Sequence, residues 1–200
     1  MFEIADYVGI IAFTMSGFFV GTKNNLDMLG VLTATFLTAF GGGIARDISV
    51  DKIPYAFSTT IPIVIMIVVM TLLFVFRFHK KESIENKSYF VLSDSIGLIS
   101  FSITGALVAL DNDLNLTGVL VLSFLTAAGG GIARDVIINE VPFVLKTGFY
   151  GTIALLIGFT LYILEQFDLI SIFSLTIVFG VMLSLRLIAY YRRWSIPLPS

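Results

Sequence analysis

Apolar residues run along this chain in long stretches separated by short polar punctuation, near residues 4–22, 27–50, 57–78, 89–110, 115–138, 143–163 and 169–190. A coiled stretch of about 20 apolar residues matches the hydrocarbon thickness of a bilayer, whereas barrel strands alternate over about 9–11 residues. The pattern predicts an all-α polytopic membrane protein of seven transmembrane helices. Composition agrees, with 57% hydrophobic and 13% charged residues and a mean hydropathy of +0.98; soluble domains carry about 25% charged residues. The opening segment holds Glu3 and Asp6 where a cleavable leader would be basic, and it reads as a span.

Basic residues set the orientation. With the N-terminus outside, Lys23, Arg77, Lys80, Lys81, Lys87, Arg134, Lys146, Arg186, Arg192 and Arg193 fall on the cytoplasmic side, and only Arg46 and Lys52 fall outside. The C-terminus is then cytoplasmic, with Tyr190, Tyr191 and Trp194 as an interfacial belt.

Sliding the sequence by 88 positions matches IADYVGIIAFTMSG to LSDSIGLISFSITG, and LGVLTATFLTAFGGGIARDISVDKIPY to TGVLVLSFLTAAGGGIARDVIINEVPF. Residues Gly41 to Asp47 recur unchanged as Gly129 to Asp135. Each copy holds three spans, and an odd number makes the second copy enter the membrane from the opposite side. The expected organisation is therefore a 3+3 inverted repeat plus a seventh helix. Residues 1–78 form the first repeat, 79–88 a cytoplasmic connector, 89–164 the second repeat, and 165–200 the seventh helix and a cytoplasmic tail.

Three consecutive glycines are a weak point in a helix, each costing about 1 kcal/mol relative to alanine. Gly41, Gly42, Gly43 and their copies Gly129, Gly130, Gly131 are expected to bend or unwind the second and fifth spans, freeing backbone groups toward a water-filled cavity near the midplane. The alternative is that they permit close helix packing. Arg46-Asp47 and Arg134-Asp135 follow each triplet. Charges at that depth must pair, snorkel or line water, so Asp6 is expected to pair with Arg46 and Asp94 with Arg134, closing the two mouths of one pathway. Thr38 and Thr126, just before the triplets, are the leading hydroxyls for contact with an ion, although such residues also bond their own helix backbone.

Other chemistry is excluded or unsupported. The chain has no cysteine and one histidine, His79 in the connector, which leaves no thiolate or imidazole metal site. A net charge of −2 gives no basic surface for nucleic acid. No nucleophile elbow, zinc-hydrolase or phosphate-loop motif occurs, so the chain reads as a non-enzyme without a cofactor.

The duplicated Gly-Gly-Gly-x-x-Arg-Asp block, the three-plus-three-plus-one count and the length near 200 resemble the trimeric intracellular cation channels, in particular the prokaryotic branch also known as a glycine transporter domain. The resemblance covers essentially the whole chain. It implies a homotrimer in the bilayer with a pore in each protomer, helices kinked at the two triplets, permeation by potassium or sodium, and a prokaryotic plasma membrane. Animal members place a Lys-Glu pair before the triplet, whereas Ala39-Phe40 and Ala127-Ala128 stand here, which puts phosphoinositide binding in doubt. The second reading is a secondary transporter for a small amino acid such as glycine, its carboxylate held by exposed amides or by Arg46 and Arg134.

Overall fold

The computed structural model describes residues 2–78, 84–146 and 149–194, and His79 lies outside them. Among the described residues the chain is helical: α1 (Phe2–Lys23), α2 (Met28–Ser49), α3 (Tyr55–Ser58), α4 (Ile61–Val75), α5 (Ile84–Asp111), α6 (Leu116–Ile137), α7 (Phe143–Lys146), α8 (Tyr150–Gln166) and α9 (Ile172–Tyr191). α1, α2, α5, α6 and α9 are long and apolar enough to cross a membrane, and α4 and α8 are shorter apolar helices.

Boundaries follow local chemistry. Asp27 caps α2 by accepting from the Gly30 amide at 2.7 Å, and Asn115 caps α6 from Gly118 at 3.0 Å, each satisfying an amide the helix start leaves without a partner. Helices end at matched places through left-handed residues: Asn25 and Asp113 at φ 53°, Asp51 at 55° and Asn139 at 59°. Short polar side chains tolerate that conformation.

The third and sixth apolar runs differ from expectation in starting with a separate short helix. Pro54 stands at the N-cap of α3, the chain is extended at Thr59, and the next helix restarts with Pro62 in its first turn, where a missing amide costs nothing. Phe149, at φ 62°, separates α7 from α8. The fourth run also begins earlier than expected, because α5 continues back to Ile84 into the segment read as connector.

α1, α2, α5 and α6 form the centre, with α1 against α2 and α5, and α6 against α2 and α5. Outside them α4 lies on α1, α8 on α5 and α6, and α9 on α5 and α8. The outward faces of α4 (Val64, Ile67, Val68, Leu72) and α9 (Ile177, Val181, Ile188) are exposed and apolar, as lipid requires.

Packing between matched helices is reciprocal. A Cβ on Gly9 of α1 would meet the Phe101 ring of α5, and one on Gly97 of α5 would meet the Phe13 ring of α1. The two rings stack edge to face at 5.1 Å. These pairings run in the antiparallel sense, since the residue nearer the start of α1 meets the one nearer the end of α5.

Candidate functional site

Inside the four-helix centre, α2 and α6 cross backbone to backbone on the glycine triplets. A Cβ on Gly41 would lie 3.0 Å from Cα of Gly130, one on Gly129 would lie 3.5 Å from Cα of Gly42, and one on Gly130 would lie 2.6 Å from the carbonyl oxygens of Leu37 and Thr38. A Cβ on Gly42 would overlap the Thr126 carbonyl oxygen. Both helices run unbroken through their triplets, so the expected unwinding does not occur. The reason is energetic. An unwound turn inside the bilayer leaves amides and carbonyls unpaired at several kcal/mol each, whereas each glycine weakens a helix by about 1 kcal/mol. Gly42 and Gly130 instead allow contact that side chains would block, Gly41 is tight, and a Cβ on Gly129 would make only ordinary contact. The third glycines face differently: a Cβ on Gly43 or Gly131 would meet only an arginine nitrogen, at 3.9 and 3.8 Å.

One turn beyond the crossing, each helix buries its arginine almost completely. Arg46 donates from Nε to Asp47 Oδ1 at 2.7 Å, and from its two terminal nitrogens to Asp6 Oδ1 at 3.0 Å and Oδ2 at 3.3 Å. The expected Asp6–Arg46 pair is therefore present as a two-point contact. Arg46 also reaches the Thr104 hydroxyl of the other repeat at 3.2 Å. Asp47 uses its second oxygen to accept from the Tyr55 amide at 2.8 Å, tying the end of α2 to the start of α3. A carboxylate that bridges a guanidinium and an amide offsets the desolvation of both.

The second repeat reproduces half of this. Arg134 Nε donates to Asp135 Oδ1 at 2.8 Å, and Asp135 Oδ2 accepts from the Phe143 amide at 2.7 Å. The expected Asp94–Arg134 pair does not form directly. The Arg134 terminal nitrogen instead donates to the hydroxyls of Ser16 and Thr38, each at 3.4 Å, and Ser16 donates onward to Asp94 Oδ1 at 3.1 Å. Ser16 matches Thr104 in the repeat, so both arginines cross into the opposite half through a hydroxyl of its first helix. Thr38 and Thr126 both donate to a carbonyl of their own helix, Ala34 and Leu122, at 2.6 Å, and Thr38 serves Arg134 in addition.

Ser16 stands between Arg134 and Asp94, and a second cation, Arg186, acts on Asp94 as well. Arg186 of α9 is wholly buried. Its guanidinium lies 4.9 Å from the centre of the Tyr150 ring and 5.8 Å from that of Tyr190. Asp94 lies within the electrostatic reach of Arg134 and Arg186 and faces the Tyr150 hydroxyl. Tyr150 occupies the position that Pro62 holds in the first repeat. Around Pro62 there is instead a small cleft, about 20 Å³, bordered by Asp6, Phe40, Gly43, Arg46 and Tyr55. Arg186 has no counterpart in either repeat, so the duplicated pattern carried no signal for it; a lone arginine toward the end of the seventh apolar run was the available clue. Among the described residues no group of three metal-ligating side chains occurs.

Comparison with known proteins identifies the family and the fold. The sequence model of a family described as glycine transporter matches residues 3–80 and again 91–166. The UPF0126 membrane protein YvgT of Bacillus subtilis (strain 168) is 34% identical over 195 residues, covering 98% of this chain and 95% of that protein. The UPF0126 inner membrane protein YadS of Escherichia coli (strain K12) is 27% identical, covering 98% and 93%. A prokaryotic TRIC channel crystallised in 0.5 M KCl superposes with a TM-score of 0.88 at 31% identity over 98% of each chain. The trimeric intracellular cation channel orthologue from Rhodobacter sphaeroides does so with a TM-score of 0.86 at 26% identity, over 96% of this chain and 97% of that one. This multi-pass membrane protein thus belongs to the prokaryotic branch of the trimeric intracellular cation channel family, whose sequence model bears the description glycine transporter.

Proposed function

We propose that the chain is a potassium-permeable monovalent cation channel, assembled as a homotrimer with one pore in each protomer. In this reading α1, α2, α4, α5, α6, α8 and α9 are seven spans, residues 1–78 and 89–164 are oppositely oriented halves, and the protein sits in a prokaryotic plasma membrane with its N-terminus outside. The antiparallel pairing of α1 with α5 and of α2 with α6 supports the inversion.

The observation that carries the proposal is the pair of buried charged clusters on either side of the α2/α6 crossing, in a chain whose fold matches cation channels. Asp6, Asp47, Asp94 and Asp135 are opposed by Arg46, Arg134 and Arg186, which leaves one negative charge among the buried residues described. An interior with that excess favours cations over anions. The glycine carbonyls are engaged within continuous helices, so the oxygens available to replace an ion's hydration are those of side chains, with Ser16, Thr38 and Thr104 beside the arginines and Thr126 opposite Gly42. Hydroxyl and carboxylate oxygens coordinate potassium or sodium weakly enough to let them leave. No cofactor enters this reading.

Two features weigh against the glycine carrier. It needs unwound backbone to hold an ammonium group, and it needs Arg46 or Arg134 free for a carboxylate, yet each arginine is bonded to its neighbouring aspartate. Phosphoinositide binding gains no support, because Ala39, Phe40, Ala127 and Ala128 are buried and apolar. The test is potassium flux in proteoliposomes alongside labelled glycine uptake by the same preparation. The channel predicts fast, gradient-reversible potassium flux without glycine; saturable glycine uptake with no potassium conductance would overturn it.

A further inference from the structure

Arg186 is the least compensated charge among the described residues. It is 0% exposed, and none of its three guanidinium nitrogens has a hydrogen-bond partner there. A buried guanidinium normally uses its donors, and leaving all of them unused is costly. Arg46 and Arg134 are bound through Nε to an adjacent aspartate; Arg186 is held only by the faces of Tyr150 and Tyr190. Beside it, Asp94 is 3% exposed and also incompletely used, with Oδ1 taking the Ser16 hydroxyl and Oδ2 without a partner. A cation and an anion thus lie within electrostatic reach of each other, each with unused bonding capacity, and with the Tyr150 hydroxyl beside the carboxylate.

The repeat supplies a control within the same chain. Asp6 occupies the matching position in the first half, and both its oxygens are taken by Arg46. Asp94 would be in the same state if Arg134 reached it, but Arg134 stops at the Ser16 and Thr38 hydroxyls. The second half therefore holds a carboxylate with one oxygen available, and an additional guanidinium supplied by a helix from outside the repeat.

We propose that Asp94, Ser16 and Tyr150 form a coordination site for a single monovalent cation, and that Arg186 is a tethered substitute cation which occupies its place until α9 moves. Release of Arg186 breaks no hydrogen bond. Among the described residues α9 packs chiefly along α5 and α8 and is mostly exposed, so it can shift without disturbing the α2/α6 crossing. With Arg186 withdrawn, Asp94 and Asp135 are left opposed by Arg134 alone, Ser16 and Tyr150 add two hydroxyl oxygens beside Asp94, and the local charge becomes attractive to cations. Arg186 thereby sets how often the second half admits an ion. This inference rests on the channel reading.

Proteoliposome potassium flux and the potassium dependence of thermal unfolding, with choline as the reference cation, test it together. Arg186→Gln should raise flux by roughly tenfold, as expected when a fixed like charge is removed from an ion's path, while Arg186→Lys stays near the parent. Potassium should raise the unfolding midpoint of Arg186→Gln but not that of Arg186→Gln/Asp94→Asn, whose flux should return to the parent level or below. Tyr150→Phe keeps the ring under Arg186 and removes one oxygen, so flux should fall while the unfolding midpoint holds; this variant serves if substitutions at Arg186 do not fold. Folded Arg186→Gln with unchanged or reduced flux and no potassium-specific stabilisation would overturn the inference, as would Tyr150→Phe with unaltered flux. A parent protein that conducts no potassium would overturn the channel reading instead, and potassium-specific stabilisation of Arg186→Gln would still report the site.

Discussion

The α2/α6 crossing makes a prediction that separates glycines only one residue apart. Replacing Gly130 with alanine puts a methyl group 2.6 Å from two carbonyl oxygens of α2, where ordinary contact begins near 3.4 Å, so the helices must part by roughly 0.8 Å. Backbone oxygens cannot rotate aside as a flexible side chain would. A gap of that size forfeits a quarter to a half of the dispersion energy of every facing atom pair, and overpacking of this kind costs about 1–3 kcal/mol. Alanine's better helix propensity returns up to about 1 kcal/mol, which against the upper part of that range leaves a net loss of about 1–2 kcal/mol. In a chain of this size that lowers the unfolding midpoint by roughly 2–8 °C. Gly131→Ala meets only an Arg134 nitrogen at 3.8 Å, and Gly180→Ala on α9 meets nothing within 4 Å, so both should be neutral or slightly stabilising. The assay is thermal unfolding in detergent, read by the loss of the monodisperse peak in size-exclusion chromatography. If Gly130→Ala unfolds no earlier than Gly131→Ala and Gly180→Ala, the triplets are not packing devices and the reasoning fails.

Further consequences can be checked in the same way. Asp47→Ala strands both the Arg46 Nε–H and the Tyr55 amide; unfolding should show a loss of about 3–5 kcal/mol, as when one partner of a buried ion pair is removed. Asp6→Asn and Arg46→Gln, measured singly and together, should show a coupling of at least about 1 kcal/mol in a double-mutant cycle, whereas the Asp94→Asn and Arg134→Gln cycle should show clearly less because Ser16 intervenes. Equal coupling in the two cycles would contradict the asymmetry between the halves. Asp27→Ala should cost about 1 kcal/mol through loss of the α2 cap, and Asp27→Asn should restore most of it, since Asn115 caps α6 in the same way.

Much of this was legible in the sequence because the chain states it twice. The 88-residue offset located the central helices and both arginine–aspartate motifs, and depth alone required Arg46 to find Asp6. At the glycine triplets the sequence left unwinding and close packing both open, and the helices are continuous and packed. In lipid the cost of unpaired backbone exceeds the glycine penalty, so the helix persists and packs. Depth required Asp94 and Arg134 to find partners but did not say which, and here each is met by Ser16. Tyr150 replaces Pro62 and Arg186 arrives from the seventh helix, and neither residue belongs to a repeated motif. The short helices α3 and α7 were merged into their successors, since apolar content continues across Thr59 and Phe149 while the backbone changes direction there.

The reciprocal contacts of Phe13 with Gly97 and of Phe101 with Gly9 amount to an isologous interface folded into one chain. Two separate half-length chains could make every one of these contacts as a homodimer. In such an ancestor a single substitution on the symmetry axis would strike the interface from both sides at once, whereas fusion lets each copy vary alone. The present chain bears the mark of that release. The seven residues around the axis remain identical in the two copies, while peripheral positions such as Pro62 and Tyr150 have diverged. Carried on one chain, a symmetric contact has halves that can differ, one around an open cleft and the other around an aromatic-bound arginine.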